Sequence, residues 1–187
     1  WPLYHLSHIP VWFFPAVLLL IPGATLAWKQ LRGASDGARK RGTDALLVAM
    51  MALDVKPGDE VITTPITDMG SIIPILACNC LPIFADVDPV TGNMTSETIE
   101  RRITPRTKAV ILVHLFGRPA EVAEIKRLLD QKGIALIEDC SQAHYADVGD
   151  AKIGSFGDLA CFSFQQSKQI TCGDGGITLI NRKDWIN

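Results

Sequence analysis

Within Ala160–Gly176, ACFSFQQSKQITCGDGG, an apolar run delivers Ser163, then Lys168 five residues later, then a turn carrying Gly173, Gly175 and Gly176. An amine at the mouth of a sheet can condense with an aldehyde, and a hydroxyl beside it can hold a phosphate. Solvated surface lysines are commoner. The glycines tilt the reading, because they permit close backbone approach where a solvated helix face is not expected. A second stretch, Ile134–Ile137, runs into Glu138, Asp139, Cys140, Ser141, Gln142, Ala143 and His144. A carboxylate at the end of a strand is placed to meet a cation, although a helix cap is the commoner use of an aspartate, and spacing alone leaves both open. A third feature is Gly42-Thr43 directly before a strong helix, where unpaired N–H groups and the helix dipole favour a phosphate. An ordinary helix start has the same appearance.

An anion site, a carboxylate and a lysine together are the set that pyridoxal phosphate requires: a phosphate cradle, an acid for the ring nitrogen and an amine for the aldehyde. The chain has no G-x-G-x-x-G, no G-x-x-x-x-G-K-[ST] and no H-E-x-x-H to compete with it.

The elements that must position these residues alternate between helix and strand from Gly42 onward, which predicts an α/β fold with a mainly parallel sheet and flanking helices. Helices are expected over Thr43–Asp54, Asp68–Cys78, from Ser96 as cap through Arg102, and from Pro119 in a first turn through Gln131, with Gly133 as the stop. Strands are expected over Glu60–Thr64, Leu81–Ala85, Ala109–Val113, Ile134–Ile137, Leu159–Phe164 and Ile177–Ile180, with Asp86–Asn93 a turn. In open α/β sheets ligands lie beyond the carboxyl ends of the strands, where Asp139, Ser163 and Lys168 fall.

With 187 residues, 48% of them hydrophobic, the chain can bury one sizeable core. Its net charge of −2 offers no global electrostatic case for nucleic acid or an anionic membrane, which leaves a small-molecule ligand. Five cysteines without C-x-x-C spacing indicate neither a disulfide framework nor a zinc site, and point to a reducing, cytoplasmic setting. Residues 1–41 stand apart as an atypical apolar and basic segment. No charged residue occurs from Trp1 to Trp28, and Ile9–Trp28 is long enough to cross a bilayer. Pro10, Pro15 and Pro22 interrupt it, so an incomplete or misread end of a longer chain is preferred to a membrane anchor.

In order from Gly42 to Asn187, the stretches GTDALLVAMMALDVKPGDEVITTP, FADVDPVTGNM, ITPRTKAVILVHLFGRPAE, IEDCSQAH and GSFGDLACFSFQQSKQITCGDGG resemble the DegT/DnrJ/StrS-type aminotransferases. These are pyridoxal-phosphate enzymes that aminate keto-sugars and keto-cyclitols. The resemblance implies the large domain of the fold-type I transferases over residues 42–187, C-terminally truncated from a protein roughly twice as long. It implies that Lys168 forms the Schiff base with the cofactor and moves the proton, that Asp139 pairs with the pyridine nitrogen, and that Gln142 lies beside the ring hydroxyl. Ser163, Gly42 and Thr43 match the phosphate contacts. The implied partners are an amino-acid donor, glutamate or glutamine, a keto-sugar, nucleotide-linked sugar or keto-cyclitol, and a second subunit in a homodimer. No metal is implied.

Departures accompany the likeness. After Pro65 the chain reads Ile66-Thr67-Asp68-Met69, without the aromatic that usually stacks on the cofactor, and Arg41 stands where a small polar residue commonly precedes Gly-Thr. FSFQQSK looks most like the inosose-aminotransferase branch. Two rival readings are a truncated, non-catalytic cofactor domain and a sugar dehydratase of the same family, although dehydratases typically replace the lysine by histidine. Structural roles are expected for Glu138, on the opposite side of its strand from Asp139, and for the cysteines and Asp174. For His114 a hydrogen-bonded core position and a place near the site both stand, and His144 leans toward the site.

Overall fold

The computed structural model describes residues 41–182 and 185. The chain divides by its internal contacts into two units, Trp1–Asp36 and Gly37–Asn187, and all described residues belong to the second. The possible anchor at Ile9–Trp28 lies outside them, and no helix among the described residues is long and apolar enough to cross a membrane.

Alanine, leucine and methionine, the strongest apolar helix formers, fill α1, Arg41–Ala52. It ends as Asp54 turns left-handed at φ 52. Strand β1, Glu60–Thr63, follows the Lys56–Asp59 turn. Helix α2, Met69–Ala77, starts where the Asp68 side chain accepts from Gly70 N–H, and it accommodates Pro74 one turn before its end. Strand β2 is Leu81–Phe84 and the short α3 is Ser96–Glu100. Then come β3, Thr107–Val113, helix α4, Val122–Lys132, and β4, Ala135–Asp139. Two-residue strands β5, Asp147–Val148, and β6, Ala151–Lys152, form a small hairpin before β7, Leu159–Ser163, and β8, Gly176–Ile180.

The six-stranded sheet has the order β2-β1-β3-β4-β7-β8. The first five are parallel and β8 is an antiparallel edge strand, pairing Ser163 with Gly176 and Cys161 with Thr178. Because side chains alternate across a strand, Val61, Ala109, Ile111, Val113 and Ile137 pack under α1 and α2, while Ile62, Val110, Leu112 and Leu136 pack under α3 and α4. The result is the expected α/β sandwich with both sheet faces covered.

Several boundaries move. Gly42 and Thr43 lie inside α1, in its first turn, and not before it. Thr95, not Ser96, caps α3, because Thr95 and Thr98 close a reciprocal capping box. Pro119 lies outside α4, whose N-cap is Glu121; Gly133 does end that helix, at φ 66. The β5–β6 hairpin was not foreseen, since strands of two residues carry no periodicity.

Candidate functional site

At the carboxyl end of the sheet, β4 sorts its two acids onto opposite faces. Glu138 points toward the α3 and α4 side and is fully buried. Its Oε2 accepts from His114 Nε2 at 3.1 Å and from Gly154 N–H, and its Oε1 accepts from the N–H groups of Phe156 and Gly157. His114 Nδ1 accepts from Ala120 N–H at 3.1 Å, which places its single proton on Nε2, toward Glu138. Burial alone would raise the Glu138 carboxyl. The His114 hydrogen bond, then those of Gly157 and Gly154, more than offset it and hold the group below its ordinary pKa. Although His114, Glu138 and Cys140 have ligand atoms close enough to share a metal ion, the four bonds to Glu138 and the one to His114 Nδ1 already use them. Both residues are structural.

Asp139 points to the other face. It is 4% exposed, its Oδ2 accepts from Ser71 Oγ at 2.7 Å and its Oδ1 from Ser141 N–H at 3.1 Å. No lysine, arginine or histidine pairs with it among the described residues. A carboxylate withdrawn from water with two neutral donors retains lone pairs for a cationic N–H, and burial makes such a partner valuable.

Three residues further on, Gln142 faces a cleft of about 500 Å³ that it lines with Phe116, Ser167, Lys168 and Gln169. The Phe116 N–H donates to Gln142 Oε1 at 2.8 Å, which orients the amide and leaves its Nε2 uncommitted among the described residues. Phe116 sits at φ 54 and is 84% exposed; a left-handed aromatic is uncommon and marks a position that its surroundings enforce. Lys168 lies in the loop after β7, where its N–H closes a turn onto the Gln165 carbonyl. Its Nζ makes no hydrogen bond or ion pair among the described residues.

That loop is tied back by Gln169, whose Nε2 donates to the Gln142 carbonyl at 2.7 Å and whose Oε1 therefore faces His144 Nδ1 at 3.0 Å. The proton on His144 is consequently on Nδ1, and its buried Nε2 has no hydrogen-bond partner among the described residues. Burial lowers the His144 pKa; the Gln169 bond and the Ser163 backbone oppose this, and the Lys168 charge adds to it. The ring packs on Phe162 and Phe164. Gly175 lets the loop fold back so tightly that a Cβ there would lie 2.5 Å from Cys172 Sγ.

Ser163 ends β7, buried, its Oγ accepting a long bond from Gln165 N–H at 3.4 Å and donating to no acceptor among the described residues. Thr178 Oγ1 donates to the Ala45 carbonyl at 2.8 Å and ties the start of α1 to the edge of the sheet beside β7. Thr43 Oγ1 lies 3.0 Å from where a Cβ on Gly70 would stand, so α1 and α2 bring their N-termini together, and the latter is already capped by Asp68. The described residues thus place Asp139, Gln142, Ser163 and Lys168 at the ends of β4 and β7. Thr43 stands at the adjoining helix end, and no hydrogen bond joins it to the other four. A smaller concavity of about 200 Å³ between α3 and α4, lined by Ser96, Glu100, Glu124 and Arg127, contains none of these groups.

Residues 38–185 match the model of the DegT/DnrJ/EryC1/StrS aminotransferase family. The chain belongs to this family. An L-glutamine:2-deoxy-scyllo-inosose aminotransferase from Streptomyces kanamyceticus is 43% identical over 138 residues, 74% of this chain and 32% of that protein. A UDP-N-acetyl-3-dehydro-alpha-D-glucosamine 3-aminotransferase from Acidithiobacillus ferrooxidans is 46% identical over 139 residues, 74% and 38%. The X-ray structure of an aminotransferase from Psychrobacter cryohalolentis superimposes with a TM-score of 0.75 at 41% identity, covering 78% of this chain and 37% of that one. The chain therefore spans about a third of the length of the curated relatives it matches.

Aminotransferases of this DegT/DnrJ/EryC1/StrS family depend on pyridoxal phosphate. The groups present in this member fit it: among the described residues, a buried carboxylate without a cation and an uncommitted lysine amine, with an oriented amide donor and a buried serine hydroxyl. Sequence reasoning did not single out Ser71, Phe116 or Gln169. Ser71 had a signal in principle, as the one hydroxyl within the apolar run of α2, but its partner is 68 residues away.

Proposed function

We propose that this chain is the cofactor-binding domain of an aminotransferase that carries an amino group from an amino acid to a cyclic ketone. The observation that supports it most is the pairing, at one end of the sheet, of a buried carboxylate and a lysine amine, neither of which has a charged partner among the described residues. When bound, pyridoxal phosphate supplies an aldehyde to receive the amino group and a ring to withdraw electrons from the substrate carbon. Lys168 Nζ would hold the cofactor at its aldehyde carbon, water leaving as the C=N bond forms, and its amine would serve as the acid/base for the proton at the reacting carbon. Asp139 holds the proton on the ring nitrogen. Gln142 orients the ring through its hydroxyl, and the Ser163 hydroxyl with the N–H groups of Gly42 and Thr43 holds the phosphate.

The donor is glutamate or glutamine and the acceptor a keto-sugar, nucleotide-linked sugar or keto-cyclitol. A keto-cyclitol and a nucleotide-linked sugar occur in two relatives' names, and the first of these also names glutamine. Residues 42–187 form the large domain, and the whole protein pairs as a homodimer. The outward face of α2, where Met69, Ile73 and Leu76 are exposed one to two turns apart, favours such pairing. All five cysteines are free thiols, in keeping with a cytoplasmic location.

The test is the donor half-reaction. With stoichiometric pyridoxal phosphate and isotopically labelled glutamate or glutamine, the 187-residue chain should release the matching 2-oxo acid in an amount equal to the cofactor loaded. Cofactor capture without any 2-oxo acid would favour a non-catalytic binding domain, and failure to capture cofactor would remove the proposal.

A further inference from the structure

Asp139 is fixed from a second element of the fold. Ser71 lies in the first turn of α2, buried among apolar neighbours, where a helical serine ordinarily bonds back to its own backbone. Here its hydroxyl leaves the helix and meets Asp139 Oδ2 at 2.7 Å. A serine hydroxyl has one proton, and Ser71 donates it in the hydrogen bond that Asp139 Oδ2 accepts. The 2.8 Å contact between Thr67 and Ser71 is therefore directed, with Thr67 Oγ1 donating to Ser71 Oγ. Two hydroxyls form a relay that ends on the carboxylate, and Ser71 is the only side chain donating to Asp139 among the described residues. The other donor, Ser141 N–H, belongs to the same segment as Asp139 and moves with it.

We propose that Ser71, backed by Thr67, is a positioning residue for Asp139, setting the carboxylate's orientation so that it can hold the proton on a cofactor's ring nitrogen. This rests on the reading of Asp139 given above. Without Ser71 the carboxylate retains a single donor, at Oδ1, and can rotate about that bond; a hydrogen bond to an ionised group is among the stronger ones a buried site can lose.

The experiment compares two ligands on the full chain: pyridoxal phosphate, and its analogue in which the ring nitrogen is replaced by C–H. Dissociation constants are measured by equilibrium dialysis for the parent, Ser71→Ala, Ser71→Thr and Thr67→Val, with thermal unfolding of each unloaded chain as a control of folding. The parent should prefer the nitrogen-containing ligand. Ser71→Ala should weaken that ligand by about tenfold while shifting the analogue by less than about twofold. Ser71→Thr should restore the preference, and Thr67→Val should erode it by about threefold, which keeps the test open if Ser71→Ala fails to fold. Loss of both ligands to the same degree, or no change in either, overturns the role of Ser71 while leaving Asp139 in place. A parent chain that binds the two ligands equally overturns the reading of Asp139, and this inference with it.

Discussion

The Ser71 hydroxyl and the Asp139 carboxylate meet at 2.7 Å across 68 residues of chain, joining the first turn of α2 to the carboxyl end of β4. The same strand presents Glu138 to the opposite face, where four donors saturate it. Two adjacent acids are thus divided by the pleat into one that is chemically spent and one that is held open. This division underlies the expectations below.

Asp139→Asn should preserve the fold, because the amide oxygen can still accept from Ser141 N–H while its NH2 donates to Ser71 Oγ, whose own proton can turn to Thr67. It cannot stabilise a proton on a ring nitrogen. In the full-length enzyme the expected loss of turnover is roughly 10²–10⁴-fold, the range for removing a positioned acid or base. Steady-state kinetics beside a thermal melt checks this, and near-normal turnover would contradict it.

Glu138→Gln should act on stability instead. An amide cannot accept all four bonds, and each buried donor left without an acceptor costs about 1–3 kcal/mol. The pH dependence has a definite sign. The folded Glu138 carboxyl is held below its ordinary pKa, so it binds its proton more weakly than the unfolded chain does. Its stabilisation is present above the ordinary carboxylate pKa and is lost as pH falls through the folded value. Urea unfolding across an acid pH series should show a steep decline in the parent and a shallower one in Glu138→Gln.

Gly154 accepts no side chain. Its φ of +92 is left-handed, and a Cβ would lie 2.7 Å from the Phe162 ring. Gly154→Ala should destabilise by about 1–3 kcal/mol through strain and overpacking, read from the urea midpoint. Because Gly154 N–H also donates to Glu138, the same variant should weaken the His114–Glu138 clasp.

Gln169 fastens the Lys168 loop to the Gln142 carbonyl and to His144. Gln169→Ala should leave the global melting temperature within a few degrees, since the loop is exposed, while amide hydrogen exchange over residues 165–175 quickens. Unchanged exchange there would show that other contacts hold the loop.

Much of this was legible in the chain itself. The apolar run at 109–113 and the one before Glu138 announced buried parallel strands, and the residues just after them, with Ser163 at the end of β7 and Lys168 beyond it, mark the candidate site because ligands gather at that end of such sheets. Helix starts were less legible. Pro119 looked like a first-turn proline, yet the helix waits for Glu121, since Pro119 and Ala120 remain non-helical. Thr95 and Ser96 are both good caps, and only the partner at Thr98 decides between them. Ser71 and Gln169 were illegible for a different reason: each acts through a hydrogen bond to a residue remote in sequence, and no local pattern encodes such a partner.

In the proposed site, Lys168 is the residue that fixes where the cofactor sits. The purified chain, incubated with pyridoxal phosphate and reduced with borohydride, should carry one pyridoxyl group, located by peptide mass spectrometry on Lys168 Nζ and absent from Lys168→Ala. No fixed group, or one on another lysine that persists in Lys168→Ala, would contradict the placement of the cofactor at the ends of β4 and β7.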